Sequence, residues 1–147
     1  KDGKVYISMD AKLLFASGST KVDSEGIKAL KELAKVLEDQ KDLEILVEGH
    51  TDSDKMKSNS HPADNWELSV LRATSVVKIM LENSKMDPKT VSASGRSQYI
   101  PIDIKDKAKN TLSIHIIEKW QTTGLVILLL IFASKHFPPA DDTHAPL

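Results

Sequence analysis

The sequence predicts an α/β fold of the α+β sandwich kind, with two main helices packed on one mixed four-stranded sheet. Three observations predict it. Four short stretches alternate apolar and polar residues with the two-residue period of a strand. Two longer stretches repeat apolar residues at helical spacing. Their order along the chain is β-α-β-α-β-β, which buries one helix layer against one sheet.

Lys4 to Met9 is the first strand, with Val5, Ile7 and Met9 on one side and Tyr6 and Ser8 on the other. Leu13, Leu14 and Phe15 lead into Ala16-Ser17-Gly18-Ser19-Thr20, a loop by composition. Asp23 or Ser24 can cap the first helix. Its apolar stripe is Ile27, Leu30, Leu33, Ala34 and Leu37, and it runs to about Asp39. Leu43, Ile45, Val47 and Gly49 alternate with Glu44, Leu46, Glu48 and His50 in the second strand, which places Glu48 toward solvent. Ser53 to Ala63 is polar, contains Pro62 and is long for a connection, a length that compact domains often reserve for function. Asp64 with Glu67 fits a capping box, and Asn65 is an alternative cap. The second helix continues through Leu68, Leu71, Ala73, Val76, Val77 and Met80 to about Asn83. Val91 to Gly95 and Leu112 to Ile116 are the last two strands.

The chain has 147 residues, enough for one domain with a substantial core. Hydrophobic residues make up 40% and charged residues 28%, with a net charge of −1. That balance offers no electrostatic footprint for nucleic acid. The absence of cysteine excludes disulfides, thiolate metal sites and cysteine nucleophiles. The chain starts at Lys1 without an apolar leader, so it reads as a fragment whose signal or membrane anchor would lie upstream. Gly124 to Ala133 is nearly all apolar, but a bilayer-spanning helix needs roughly 20 residues. Lys135 to Leu147 is expected to be disordered. The domain is therefore expected over residues 1–118, followed by an atypical apolar segment and tail over 119–147.

Three residues should converge. Asp52 lies just past the carboxyl end of the second strand, the edge beyond which ligands bind in sheets with βα connections. Asn65 sits at the amino end of the second helix, and Arg72 follows two turns later on the same face. Arg72 can take a carboxylate in a forked contact, Asp52 can take an ammonium group, and the helix terminus favours the acid end. This is a site for a zwitterion. Taken singly, Asp52 reads as a turn residue and Arg72 as a solvated helix residue. His50 could join Asp52, His61 or Asp64 around a metal, but no recognised ligand spacing is present, so neither metal nor cofactor is expected. His50 is better read as a strand-end residue that holds the loop. Trp66 could stack on a sugar, though packing at the helix start is the commoner use. Lys55 and Lys57 read as solvated surface, and Ser17 and Ser19 as a turn that could rim the site. No nucleophile elbow, phosphate loop or zinc motif is present, so no enzymatic activity is expected.

Gly49-His50-Thr51-Asp52, followed by Asn65-x-x-Leu68-Ser69-x-x-Arg72-Ala73-x-x-Val76, resembles the signature of OmpA-like C-terminal, peptidoglycan-binding domains. Asn65-Trp66-Glu67-Leu68-Ser69 after a long loop is similar to the MotB branch of that family. So are Leu14-Phe15-Ala16-Ser17-Gly18-Ser19 and Gly95 with Tyr99-Ile100-Pro101-Ile102. The resemblance covers about residues 3–110. It implies that Asp52 and Arg72 grip the amino-acid end of diaminopimelate in the peptidoglycan stem, with Thr51 and Asn65 lining the pocket and Leu68 packing beneath. The family usually carries Asn-Arg-Arg entering its last strand. Here Asn110 is followed by Thr111 and Leu112, so both arginines are missing.

The resemblance implies noncovalent anchoring of a flagellar stator to the cell wall. It further implies a periplasmic location, a homodimer, and a membrane-embedded stator partner reached through an upstream region. The alternative is a wall-binding domain of an OmpA-like outer-membrane protein or lipoprotein. A metal-dependent hydrolase is the remote alternative and would require bound metal.

Overall fold

The computed structural model describes residues 4–9, 14–40, 42–54, 56, 61–103, 105 and 110–118. Strand β1 spans Lys4–Met9, helix α1 Ser24–Glu38, β2 Leu43–Gly49, α2 Asn65–Glu82, β3 Val91–Gly95 and β4 Leu112–Glu118. A 3-10 turn over Pro88–Thr90, started by Pro88 and by the Asp87 carboxylate accepting from Lys89 N–H, delivers the chain into β3. The expected order and the mixed sheet are both present. The expected apolar segment and tail at 119–147, and Lys55 and Lys57, lie outside the described residues.

The sheet order is β1-β4-β2-β3. β4 is antiparallel to both β1 and β2, with Ile114 opposite Ile7 and Val47. β2 and β3 are parallel, joined by α2 as the crossover, and Gly49 faces Gly95 at their carboxyl ends.

One face of this sheet is the core. Ile7, Met9, Leu43, Ile45, Val47, Leu112, Ile114 and Ile116 point into it. Leu30, Leu33, Ala34 and Leu37 of α1 and Ala73, Val76 and Met80 of α2 close it from above. Leu112, Ile114 and Ile116 are each 0% exposed. Burying one such side chain stabilises by about 1.5–3 kcal/mol. The helix-surface pairs Lys28–Glu25 and Lys35–Glu38 are screened by water and contribute little. Core burial on β4 therefore outweighs the helix-surface charges.

The opposite face is not all in solvent, for Glu48 and Ser113 are both buried there. Glu48 was expected in solvent but is only 5% exposed. Register explains it. Glu48 lies beside Ser94 of β3 and Ser113 of β4, with His115 two positions further along β4 on the same face. These neighbours and Arg96 cover the carboxylate.

Candidate functional site

The site lies where β2 ends and α2 begins. Asp64 caps α2, its Oδ1 accepting from Glu67 N–H at 2.8 Å. Glu67 reaches back one residue further than the usual box, accepting from Ala63 N–H at 2.5 Å and contacting His61 Nδ1 at 2.8 Å. Asn65, expected to line a pocket, ties three segments together. Its Nδ2 lies 3.2 Å from the Asp52 carbonyl, 3.1 Å from the Asp54 carbonyl and 3.0 Å from Gln98 Oε1.

Arg72 is 6% exposed although it stands on a helix flank. Its Nε–H donates to the Ser19 carbonyl at 2.9 Å and Nη2 to the Ala16 carbonyl at 3.4 Å. The guanidinium carbon sits 4.9 Å from the Phe15 ring centroid, within cation–π range. The loop after β1 is thus a cradle for this cation, and Ser19 takes part through its backbone. Burial pushes the Arg72 pKa down, and the negative charge of Asp52 pulls it back up. The two charges sense each other. Among the described residues they form no direct ion pair with each other.

Asp52 is half-buried, and its Oδ1 accepts from Asp54 N–H at 3.0 Å, an Asx turn that orients the carboxylate. Thr51 is 3% exposed, donates its N–H to the Ser97 carbonyl, and has a hydroxyl with no hydrogen-bond partner among the described residues. Leu68 is buried.

His50 does hold a loop. Its Nδ1 lies 2.7 Å from the Ile100 carbonyl, which can only accept, so Nδ1 carries the proton. Its Nε2 lies 3.0 Å from Ser113 Oγ, and in the neutral ring it accepts from that hydroxyl. Ser113 Oγ also meets His115 Nε2 at 2.9 Å, and that nitrogen is 3.3 Å from Glu48 Oε2. Arg96 completes the network, with Nε donating to Glu48 Oε1 at 2.7 Å. Burial pushes the His50 and His115 pKa values down. Burial raises the Glu48 pKa, but the Arg96 hydrogen bond and the charges of His115 and Arg96 outweigh it and hold it below the usual range.

Several positioning residues carried no signal in spacing alone. A Cβ at Gly49 would overlap the Ser69 backbone carbonyl, and one at Gly95 would lie 2.5 Å from both Ser69 Oγ and Val70 Cγ2. Ser69 is fully buried. Its Oγ donates to the Trp66 carbonyl at 2.9 Å and accepts from Ser97 N–H at 3.1 Å. Ser97 has φ +52°, a left-handed conformation uncommon outside glycine, at the bend that brings the β3–β4 connection back over the site. Asn110 is buried and pairs with the Asp103 backbone twice, at 2.9 Å each. Thr111 and Leu112, which follow Asn110, are both buried, Leu112 in the core.

Trp66 is not packed into the helix start. It is 51% exposed, and its ring lies 5.7 Å from that of Tyr99, tilted by 35°. The residues between them border a cavity of about 390 Å³. Among the described residues, no group of three or more His, Asp or Glu side chains is arranged to hold a metal ion. No helix among them is long and apolar enough to cross a membrane.

Known proteins share this fold. Motility protein B of Bacillus subtilis is 34% identical over 98 residues, covering 67% of this chain and 37% of that protein. An uncharacterized protein of the same organism, YtxE, is 33% identical over 108 residues, covering 74% of this chain and 43% of its own length. The chain thus spans less than half of these relatives. Among solved structures, the periplasmic domain of Helicobacter pylori MotB superposes with a TM-score of 0.71 at 21% identity, covering 93% of this chain and 96% of that one. The cell wall anchor of the type VI secretion system of Pseudomonas aeruginosa superposes with a TM-score of 0.69 at 26% identity, covering 79% and 82%. The OmpA family model matches residues 14–112, and the chain belongs to that family.

Proposed function

We propose that this domain anchors a flagellar stator by gripping the peptide stem of peptidoglycan, with Asp52 taking the ammonium group and Arg72 the carboxylate of a diaminopimelate residue. One observation carries the reading. A buried guanidinium and a half-buried carboxylate are coupled electrostatically yet remain unpaired with each other. Arg72 is held from behind by the carbonyls of Ala16 and Ser19, and Asp52 by its own turn. A zwitterion placed between them satisfies both charges at once, in a site already desolvated, where charged hydrogen bonds are strong. Asn65 acts mainly by holding the Asp52 segment in place, and Thr51 by docking that segment on Ser97.

Retention on isolated sacculi tests this. Wild type should pellet with the wall, and Asp52→Ala or Arg72→Ala should each reduce retention at least tenfold, because a ligand charge loses its partner. Equal retention of all three proteins sinks the site. In this reading the full protein is a homodimer. An upstream membrane segment joins it to an ion-conducting partner, and the domain works in the periplasm. Failure of the intact gene to restore swimming to a stator-deficient strain, with sacculus binding retained, would favour a wall anchor of another envelope assembly. The likeness to the secretion-system anchor is what keeps that second reading in view.

A further inference from the structure

We infer, building on the peptidoglycan reading above, that Glu48 and Arg96 position the wall site from the far face of the sheet, and that a proton on His115 weakens this support.

The segment from Arg96 to Ile100 follows β3 and runs beside the end of β2, with Arg96 N–H on the Gly49 carbonyl. Its ends are tied to the sheet face opposite the helices. Arg96 donates Nε–H to Glu48 Oε1 at 2.7 Å, and the Ile100 carbonyl accepts from His50 Nδ1–H at 2.7 Å. Its middle is tied to the wall site. The Ser97 carbonyl accepts from Thr51 N–H at 2.9 Å, and Ser97 N–H donates to Ser69 Oγ at 3.1 Å. Gln98 Oε1 accepts from Asn65 Nδ2 at 3.0 Å, and the same nitrogen bonds the Asp52 carbonyl. Thr51 and Asn65 place the Asp52 segment, and both lean on residues 97 and 98.

Packing alone gives no reason for this anchor. Glu48 is 5% exposed, and a buried carboxylate is less stable than an apolar side chain of its size unless its partners are well placed. Its partners are Arg96, Ser94 Oγ at 3.1 Å and His115 Nε2 at 3.3 Å. What the ion pair adds is a fixed position for Arg96, the residue that begins the segment.

His115 makes the anchor titratable. His50 Nδ1–H faces a carbonyl, so its Nε2 takes the Ser113 hydroxyl proton, and Ser113 Oγ in turn accepts from His115 Nε2–H at 2.9 Å. A second proton on His115 therefore enters at Nδ1 and brings a full charge beside Glu48. The carboxylate then serves two cations, and His115 and Arg96 repel each other. The groups facing His115 are Glu48 of β2, Arg96 after β3, and Lys4 and Tyr6 of β1, with Ser113 and His50 along the relay. Of these only Glu48 is acidic, so the added proton is a surplus positive charge at Arg96. Burial holds the His115 pKa below the ordinary 6.5, so the charge appears as pH falls beneath that value. Wall grip is full above it and declines with acid.

The test combines two readouts on the 147-residue chain: amide NMR without ligand, and retention on isolated sacculi, each between about pH 7.5 and 5. The Thr51 and Ser97 amides and the Asn65 side-chain amide should shift with the same midpoint as the His115 ring. Retention should fall about fivefold or more across that range. His115→Gln keeps a donor toward Ser113 without the charge, so it should hold the pH 7.5 retention and lose the fall. His61→Gln, at the other histidine close to α2, should leave the fall in place. Arg96→Gln should weaken retention already at pH 7.5 with no further fall, and Arg96→Lys should restore part of both. Site amides that stay fixed while the His115 ring titrates overturn the coupling, whether or not the chain binds the wall. Retention that is present but level with pH also overturns it and leaves the wall reading standing. Titrating site amides with no retention at any pH keep the coupling and remove the wall reading.

Discussion

Gly49 and Ser69 touch backbone to backbone: a Cβ at Gly49 would overlap the carbonyl oxygen of Ser69. The last residue of β2 and the second turn of α2 are thereby brought close enough for Asp52, just beyond the strand, to face Arg72, three residues along the helix. Gly95 repeats the close approach from β3. The close approach of both strand ends to the helix follows from the absence of two methyl groups.

Gly49→Ala should therefore cost more than an ordinary overpacking change, at or above the upper end of about 1–3 kcal/mol, because the obstructing atom is backbone and cannot rotate away. Gly18→Ala is the control. A Cβ there would meet only Met56 Cε, at an ordinary contact distance of 3.9 Å, and φ is +68°, so only the left-handed penalty of about 1–2 kcal/mol applies. Urea midpoints for the two variants check the order. A smaller loss at Gly49 than at Gly18 would contradict the close packing.

The two helices should respond differently to loss of their caps. Asp64 accepts a hydrogen bond from Glu67 N–H, whereas Asp23 makes no side-chain cap bond at α1. Asp64→Ala is expected to cost about 1 kcal/mol. Asp23→Ala is expected to stay within about 0.5 kcal/mol, the range of ordinary surface changes. Thermal unfolding of both variants measures the contrast.

Asn110→Ala removes both bonds to the Asp103 backbone in a buried setting and should cost about 1–3 kcal/mol. Amide exchange at Asp103 should accelerate by at least the same factor as global unfolding. Unchanged protection there would show that the connection is held by other contacts.

Stability should fall as pH falls, in two steps. His50 and His115 have folded pKa values below the ordinary 6.5, so the unfolded chain binds their protons more readily. The stability tied to their neutral forms is complete above that value and is lost as pH drops through the lower folded values. Glu48 has a folded pKa below 4.5, so its contribution is intact above that and lost only under stronger acid. Urea unfolding between about pH 7.5 and 5 should show the first step, and His50→Gln with His115→Gln should flatten its slope. A wild-type stability that is level across that range would refute the assignment. Protonating His50 also removes the acceptor for Ser113 Oγ–H but keeps the Nδ1–H bond to the Ile100 carbonyl, so the strand contact with Ser113, rather than the loop, should respond in the same interval.

Element order, element type and most boundaries were legible in the sequence, because strand and helix periods are local and each apolar stripe needs only its own neighbours to be read. The spacing of Asn65 and Arg72 on one helix face, and the place of Asp52 past a strand end, were legible for the same reason. What only the tertiary structure decided depends on residues distant in sequence. Glu48 is buried because Ser94, Arg96 and His115 arrive from two other strands, which no alternation within β2 can report. Arg72 is buried because the carbonyls of Ala16 and Ser19 and the ring of Phe15 come to it from over fifty residues away. Trp66 stays half in solvent because Tyr99, rather than the core, takes one of its faces. A chain pattern states which way a side chain points along its own element. Whether that direction ends in water, in carbonyl oxygens or against another ring is set by packing.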